Sequence, residues 1–123
     1  MGATRDVALS ELPIRGISIN PSTASGAVTV VASDSGTIFI NKYAGTTTYT
    51  LPSVATGAGK MFWFFGAIAN DVVVYGPAAT TVYGPAALGR TFTGTGAIGI
   101  CCMVIGDGTS YYAFAISGSW AIS

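Results

Sequence analysis

The densest block of large apolar residues in this chain is Met-Phe-Trp-Phe-Phe at positions 61–65, and it restricts the fold more than any other stretch. If the block forms a strand, successive side chains point to opposite faces, so both faces are apolar. One face can pack into a domain core, but the other also has to be covered. A chain of 123 residues has little sequence left for that purpose. The block therefore predicts a strand whose outer face contacts another subunit.

Charge is scarce in this sequence. Charged residues make up 8% of it, and the net charge is zero, whereas an ordinary soluble domain has about 25% charged residues. Four of the charges, Arg5, Asp6, Glu11 and Arg15, lie at the N-terminal end. A small monomer with so few charges is poorly protected against association. The composition therefore favours a single-domain subunit that contacts copies of itself.

The same composition argues against two classes of partner. The sequence has no run of lysine or arginine, and phosphate contacts in nucleic-acid binding require such residues. Its longest apolar run, residues 61–69, is under half of the roughly 20 residues that span a bilayer. The N-terminus also lacks the apolar core of a signal peptide. We therefore expect no nucleic acid, no membrane and synthesis in the cytoplasm.

From residue 27 onward, strand-like segments and turn residues alternate at short spacing, which is typical of an all-β fold. We expect a compact antiparallel β-barrel or sandwich over residues 27–123, with no helix, because no segment sustains an apolar period of 3.6 residues. The predicted strands are 28–31, 37–41, 46–51, the aromatic strand, 72–75, 91–95, 98–105 and 111–116. Asp107-Gly108 between the last two predicts a β-hairpin.

Residues 1–26 differ from the rest in their prolines, charges and scattered branched residues. Pro13 disfavours a helix at this point. We expect an extended arm with one short strand near residues 14–19. Large apolar side chains are rarely left in solvent, so the arm is predicted to dock on a partner through Val7, Leu9, Leu12 and Ile14.

One short segment is nearly duplicated. Val-Tyr-Gly-Pro-Ala-Ala occurs at 74–79 and again at 82–87. Such a short period does not match the common solenoid repeats, and two copies are too few. We interpret it as a local duplication that places two turns.

The subunit interface is predicted on two strands. In the aromatic strand either Phe62 and Phe64 or Trp63 and Phe65 face outward, and alternation alone does not say which pair. In the last hairpin strand we expect the large residues Tyr112, Phe114 and Ile116 in the core, and Tyr111 and Ala113 facing a neighbour. The candidate interface residues are Trp63, Phe65, Tyr111 and Ala113.

The sequence lacks the usual components of an active site. There is no histidine, the commonest general base and metal ligand. Cys101 and Cys102 point to opposite faces of a strand, and we expect two reduced, inert core thiols. Asp34, Asp71 and Asp107 are predicted to stabilise turns, with a calcium site at Asp107 as the less favoured alternative. We predict no enzyme, and no catalytic, cofactor or metal site.

Exposed aromatic rings offer one further binding chemistry. Tyr75, Tyr83 and Tyr111 could stack on sugars if their ring faces were free. The favoured interpretation is that they pack in the core or a subunit interface, since aromatic rings dominate both. Arg90, after a Leu-Gly pair, is predicted to be a solvated loop charge, with a partner carboxylate as the alternative.

The order of turns and strand starts is similar to that of a known class of proteins. The similarity covers residues 28–120 and rests on the following segments: Asp34-Ser35-Gly36, Thr48-Tyr49-Thr50-Leu51-Pro52, Gly59-Lys60, Gly106-Asp107-Gly108-Thr109-Ser110-Tyr111-Tyr112 and Ser117-Gly118-Ser119-Trp120. This pattern resembles small β-structured virion proteins of tailed bacteriophages, in particular capsid decoration (cement) proteins. The resemblance implies a homotrimer that binds the major capsid protein at the capsid surface and stabilises the shell. The alternative is a trimeric tail-fibre or tail-spike module that binds a host surface glycan.

Overall fold

The computed structural model describes residues 15–123, and this part of the chain consists of short β-strands joined by turns, with one 3-10 turn at Ala32–Asp34 and no α-helix. The strands are β1 (Gly16–Asn20), β2 (Ala27–Thr29), β3 (Thr37–Asn41), β4 (Thr47–Thr50), β5 (Met61–Gly66), β6 (Val72–Tyr75), β7 (Val82–Gly84), β8 (Ala87–Gly89), β9 (Thr91–Gly94), β10 (Cys101–Gly106), β11 (Tyr111–Ser117) and β12 (Trp120–Ile122). The all-β prediction is confirmed.

The strands form two sheets. The seven-stranded sheet has the order β1-β3-β5-β10-β11-β7-β8, and the five-stranded sheet has the order β12-β9-β6-β4-β2. The first six strands alternate between the two sheets, with odd-numbered strands in the first and even-numbered strands in the second. Wherever two of these six strands are neighbours in a sheet, they are parallel. The chain therefore winds through three stacked coils, β1–β2, β3–β4 and β5–β6, in the manner of a solenoid.

The stacking of the first two coils has a regular spacing. Gly16 pairs with Thr37 and Ala27 pairs with Thr48, so the second coil follows the first by the same number of residues in both sheets. We call this distance along the chain, from residue 16 to residue 37, the coil offset. The step to the third coil is longer, as the pairing of Ile38 with Trp63 shows. The added residues lie in the turn between β4 and β5.

This arrangement corrects the expected strand directions. The prediction of an antiparallel fold is wrong for β1 to β6 and for the β7–β11 pair, which are parallel. Alternating side chains define the two faces of a strand but not the direction of its neighbour. Within residues 15–123 both sheets also keep free edge strands, so the coils of this part of the chain stack without closing into a barrel.

Antiparallel strands close one end of the stack. In the first sheet β10 runs antiparallel to β5, and in the second β9 runs antiparallel to β6. The β10–β11 hairpin forms as predicted around Asp107-Gly108. Strand β10 begins at Cys101 and not at residue 98, because Gly99 lies in the left-handed region with φ 93° and interrupts the extended backbone.

One hydrophobic core lies between the sheets. Phe39, Tyr49 and Phe64 meet near its centre with ring centroids 5.0–5.5 Å apart, and Trp120 stacks on Phe92 at 4.9 Å. The buried apolar residues that complete the core are Val30, Leu51, Phe62, Val72, Val74, Val82, Ile100, Cys102, Val104, Tyr111 and Ala113.

The N-terminal boundary differs from the expected one. Strand β1 pairs along its length with β3, and the Arg15 N–H donates to Gly36 O at 2.7 Å. Residues 15–26 therefore belong to the folded unit and not to an arm that ends at residue 26. The predicted docking residues Val7, Leu9, Leu12 and Ile14 lie outside the described residues.

Candidate interaction surface

The side of the seven-stranded sheet that faces away from the core is apolar throughout. We call this surface the outer face. Alternation along each strand assigns it from the buried residues opposite. It consists of Ile17, Ile19, Ile38, Ile40, Met61, Trp63, Phe65, Tyr83, Leu88, Cys101, Met103, Ile105, Tyr112, Phe114 and Ile116. None of these residues is charged.

The strand register arranges most of these side chains in three rows across the sheet. The central row is Ile17, Ile38, Trp63, Met103 and Phe114. A second row contains Ile19, Ile40, Phe65 and Cys101. The third contains Met61, Ile105, Tyr112, Tyr83 and Leu88. Each row crosses at least four strands, so the apolar surface is continuous and not a set of isolated residues.

The outer face remains open to solvent in the single chain. Of the eight large hydrophobic side chains that are exposed within residues 15–123, six lie on it. Ile17 is 60% exposed at one end of the central row and Phe114 is 47% exposed at the other. Monomeric soluble proteins rarely expose large contiguous apolar patches, and such patches mark interaction sites.

The corresponding side of the five-stranded sheet has a different composition. One row across it is Thr29, Thr50, Tyr75 and Thr91, and the other is Ala27, Thr48, Val73, Thr93 and Ala121. Threonine hydroxyls can hydrogen-bond to water, so this surface tolerates solvent. The contrast makes the outer face of the seven-stranded sheet the candidate interaction surface.

The structure places the four predicted interface residues on two different faces of the seven-stranded sheet. Trp63 and Phe65 lie on the outer face, while Phe62 and Phe64 are fully buried in the core. Tyr111 and Ala113 are buried in the core, so their assignment to an interface is wrong, and the neighbours Tyr112, Phe114 and Ile116 point outward instead. Both faces of β11 are apolar, so alternation does not reveal which one the core accepts. The smaller Ala113 fits inside.

The two cysteines are free thiols on opposite faces of β10. Cys102 is buried in the core, and Cys101 is half-buried on the outer face. Burial raises the pKa of both thiols, and the neighbouring Cys101 raises the pKa of Cys102 further. Both thiols are therefore protonated at neutral pH, and only Cys101 lies at the surface.

The three aspartates that were predicted to stabilise turns, Asp34, Asp71 and Asp107, all accept hydrogen bonds from backbone N–H groups. Asp107 Oδ1 accepts from Thr109 and Ser110 at 2.8 Å, and Asp34 Oδ2 accepts from Val31 at 3.0 Å. Asp71 differs because its Oδ1 accepts from the distant Gly96 N–H at 2.6 Å.

The carboxylate of Asp107 also contacts the outer face. Tyr112 Oη donates to Asp107 Oδ2 at 2.6 Å. This bond is the main cause that lowers the pKa of Asp107, and the backbone donors lower it further. The same bond raises the pKa of Tyr112. The carboxylate therefore fixes the orientation of one ring at the margin of the outer face.

The three tyrosines that could stack on sugars are all engaged within the chain. The Arg90 guanidinium lies 4.1 Å from the Tyr75 ring centroid, and its Nε donates to Gly76 O at 2.9 Å. Tyr111 is buried. Tyr83 stacks on Tyr112 with ring centroids 5.4 Å apart. Arg90 is therefore a structural residue of a turn and not a solvated charge.

Within residues 15–123, no helix is long and apolar enough to cross a bilayer. No three histidine, cysteine or acidic side chains in this part of the chain come together as a metal site.

Comparison with known proteins gives no match: no family model, no curated sequence and no solved structure is significantly similar to this chain. The outer face therefore has to be interpreted from its own chemistry.

Sequence reasoning identifies Trp63 and Phe65 but misses most of the residues around them. It assigns Ile17 to one strand and Ile38 and Ile40 to another without relating the two strands, although the tetrapeptide pattern Ile-x-Ile-Asn recurs at 17–20 and 38–41. That recurrence, at the coil offset, is the signal that places Ile38 beside Ile17 in one row and Ile40 beside Ile19 in the next. For Met103 and Phe114 no comparable signal exists, because their strands join the sheet in the antiparallel direction.

Proposed function

We propose that this chain is a structural virion protein, a homotrimeric decoration (cement) protein of a tailed bacteriophage capsid. The observation that carries the proposal is the outer face, a continuous, uncharged and apolar surface on one side of the subunit. Obligate interfaces are more hydrophobic than transient ones and resemble a core cut in half. A protein that reinforces a shell needs such self-association and needs no catalytic residues.

Three-fold closure is the assembly that we propose for this surface. In a closed ring every copy covers the outer face of its neighbours, and no apolar surface is left on which further copies could add. Each subunit would act as one rigid two-layer β-sandwich, with the threonine-rich side exposed. The order of turns that resembles phage decoration proteins supports the same assembly.

The proposed partner outside the trimer is the major capsid protein. The contact is assigned to residues 1–14, which carry Val7, Leu9, Leu12 and Ile14 next to most of the N-terminal charges. In this proposal the protein is made in the host cytoplasm and then added to the capsid surface.

Sedimentation equilibrium tests the assembly. At low micromolar concentration the wild-type protein should have about three times the chain mass of 12.4 kDa. Trp63→Glu places a charge in the central row of the outer face and should yield monomers or unfolded protein. Thr93→Glu places the same charge on the threonine-rich side and should remain trimeric. A folded wild-type monomer would contradict the proposed assembly.

The capsid role needs a separate measurement. Wild-type protein and the Thr93→Glu variant should co-sediment with empty capsids of the parent phage. Labelled protein should then be seen in many copies over the shell. A few copies at the tail would instead support the alternative, a trimeric tail-fibre or tail-spike module that binds a host surface glycan.

A further inference from the structure

The first coil has the least buried interior of the three coils. Its inward position on β1 is Ser18, which lies opposite Phe39 of the second coil. Its inward position on β2 is Val28, which lies opposite Tyr49. Ser18 is exposed and Val28 is half-buried, whereas the second-coil and third-coil residues at the same positions are buried. Because burial of apolar surface is the main force that holds such layers together, the first coil is held less firmly than the other two.

A polar contact and one apolar side chain fasten this coil to the stack. The Asn20 side-chain amide donates to Asn41 Oδ1 at 3.4 Å and to Thr47 Oγ1 at 3.1 Å. Within residues 15–31, Val30 is the only apolar residue that is fully buried. Both outer-face isoleucines of β1 are exposed in the single chain. Much of the side-chain surface of the first coil is therefore in contact with solvent.

The connection that follows the coil is fastened to a different strand. Residues 30–36 connect β2 to β3. The Gly36 N–H donates to Met61 O at 2.7 Å, and the Met61 N–H donates to Ser35 Oγ at 3.0 Å. These bonds join the end of the connection to β5 and do not involve the first coil. The coil can therefore separate from β3 and β4 while the end of the connection stays in place.

The two strands of the first coil are also linked to each other. Residues 21–26 form the short connection between β1 and β2. Within it the Ala24 N–H donates to Pro21 O at 3.0 Å. The Asn20 amide, at the end of β1, donates to Ser25 O at 3.0 Å. These bonds lie inside the coil, so separation of the coil from the stack does not break them.

We propose that the first coil, residues 16–29, opens as one unit from an otherwise folded subunit. The closed form predominates, because the ladder bonds and the Asn20 amide hold it. Opening exposes far less apolar surface than global unfolding does and therefore costs less free energy. It uncovers the edges of β3 and β4 together with the rings of Phe39 and Tyr49, and it leaves β5 to β12 paired. This inference does not depend on the virion role.

Amide hydrogen exchange on the full chain tests the proposal at two sites, one in each sheet. The Lys42 N–H donates to Asn20 O at 2.8 Å, and the Thr48 N–H donates to Gly26 O at 2.7 Å. Both acceptors belong to the first coil or its connection. If the coil opens as a unit, both amides lose their acceptors in the same event, so their protection factors should agree to within roughly threefold.

Two amides at the next boundary are the matched controls. The Ala67 N–H donates to Asn41 O at 3.0 Å in one sheet, and the Leu51 N–H donates to Tyr75 O at 2.9 Å in the other. Both bonds join the second coil to the third. Since opening of the first coil leaves them intact, these amides should be protected at least roughly tenfold more than the pair at the first boundary.

A pair of variants distinguishes an effect on the coil from an effect on the whole fold. Ser18→Val adds an apolar side chain at an inward position of the coil and should raise the protection of Lys42 and Thr48 by roughly fivefold, with no change at Ala67. Ala27 is exposed on the opposite side of the same coil. Ala27→Val adds the same side chain there and should change the protection of all three amides by less than roughly twofold.

Three results would overturn the proposal. One is equal protection of Lys42, Thr48, Ala67 and Leu51 in the wild-type protein, which would mean that the coil leaves the stack only in global unfolding. Another is a difference of more than roughly tenfold between Lys42 and Thr48, because separate fraying of β1 and β2 produces it. The third is a Ser18→Val variant in which Ala67 gains as much protection as Lys42.

Discussion

The side-chain amide of Asn20 donates to the side-chain oxygen of Asn41 at 3.4 Å, from the position directly opposite it on the adjacent parallel strand. Asn41 Oδ1 also accepts from Thr47 Oγ1 at 2.8 Å and from the Tyr43 N–H at 3.0 Å. Both asparagines and the threonine are buried. This polar cluster therefore joins the first two coils inside an otherwise apolar interior.

Replacement of Asn41 by alanine should destabilise the protein by about 1–3 kcal/mol, because it leaves buried donors without an acceptor. The neighbouring Lys42 is exposed, and Lys42→Ala should change stability by less than about 0.5 kcal/mol. Urea denaturation of the two variants gives the comparison. An Asn41→Ala variant as stable as Lys42→Ala would show that the cluster does not stabilise the stack.

Removal of two buried tyrosine hydroxyls should affect the stability of the protein differently. Tyr111 Oη donates to Pro52 O at 2.8 Å, whereas Tyr49 Oη is buried without a hydrogen-bond partner among residues 15–123. Tyr111→Phe should cost about 1 kcal/mol. Tyr49→Phe should be neutral or stabilising, since it removes an unsatisfied polar group. Thermal unfolding of both variants measures the difference, and equal losses would contradict it.

Alkaline pH should weaken the fold. Burial raises the pKa of Tyr49 and of Tyr111 from 10.0 to about 12. A raised tyrosine pKa means that the folded protein keeps the proton where the unfolded chain has released it. The stabilising contribution is therefore complete below pH 10 and is lost as the pH rises toward 12.

Above pH 10 the free energy of unfolding should fall by at most about 1.4 kcal/mol per pH unit for each tyrosine. Urea unfolding at several pH values between 9 and 12 checks it, and Tyr49→Phe should reduce the slope. Stability that stays constant to pH 12 in the wild-type protein would contradict the pKa shifts.

The rate at which Cys101 is alkylated should show whether another subunit covers the outer face. Its thiol is half-buried there and its pKa is raised by burial. If subunits cover the outer face, alkylation of Cys101 by iodoacetamide should be slow in the wild-type protein and faster in a folded Trp63→Glu variant. Cys102, in the core, should stay unmodified in both. Addition of reductant should leave the unfolding temperature unchanged, because neither cysteine forms a disulfide within the described chain.

Much of the local structure could be predicted from the sequence. Tyr49 and Leu51 are both buried, two residues apart as the alternation of a strand requires, and Asp107-Gly108 forms the expected hairpin. These features depend on neighbouring residues, whose chemistry is visible in any short window. The apolar composition of residues 61–65 likewise indicates that one face of this strand remains uncovered.

The way in which the strands combine was not predictable in the same manner. Parallel stacking depends on pairing between strands a full coil apart, and the short duplication at 74–79 and 82–87 is more conspicuous in the sequence than the coil offset. The two copies end up in different sheets, since Tyr75 closes β6 and Tyr83 lies in β7. The inward position of Ala113 depends on core space that larger side chains already occupy, which no local pattern describes.

The direction of β9 and β10 sets how such a chain can change in length. Both run against the strands that precede them in their sheets, β6 and β5, so a further parallel coil cannot be added beyond the third. A longer relative could arise only by insertion of whole coils, each one coil offset in length, ahead of β5. Each insertion would widen both sheets by one strand and extend the central and the second apolar row by one residue each, without disturbing the strands that close the other end.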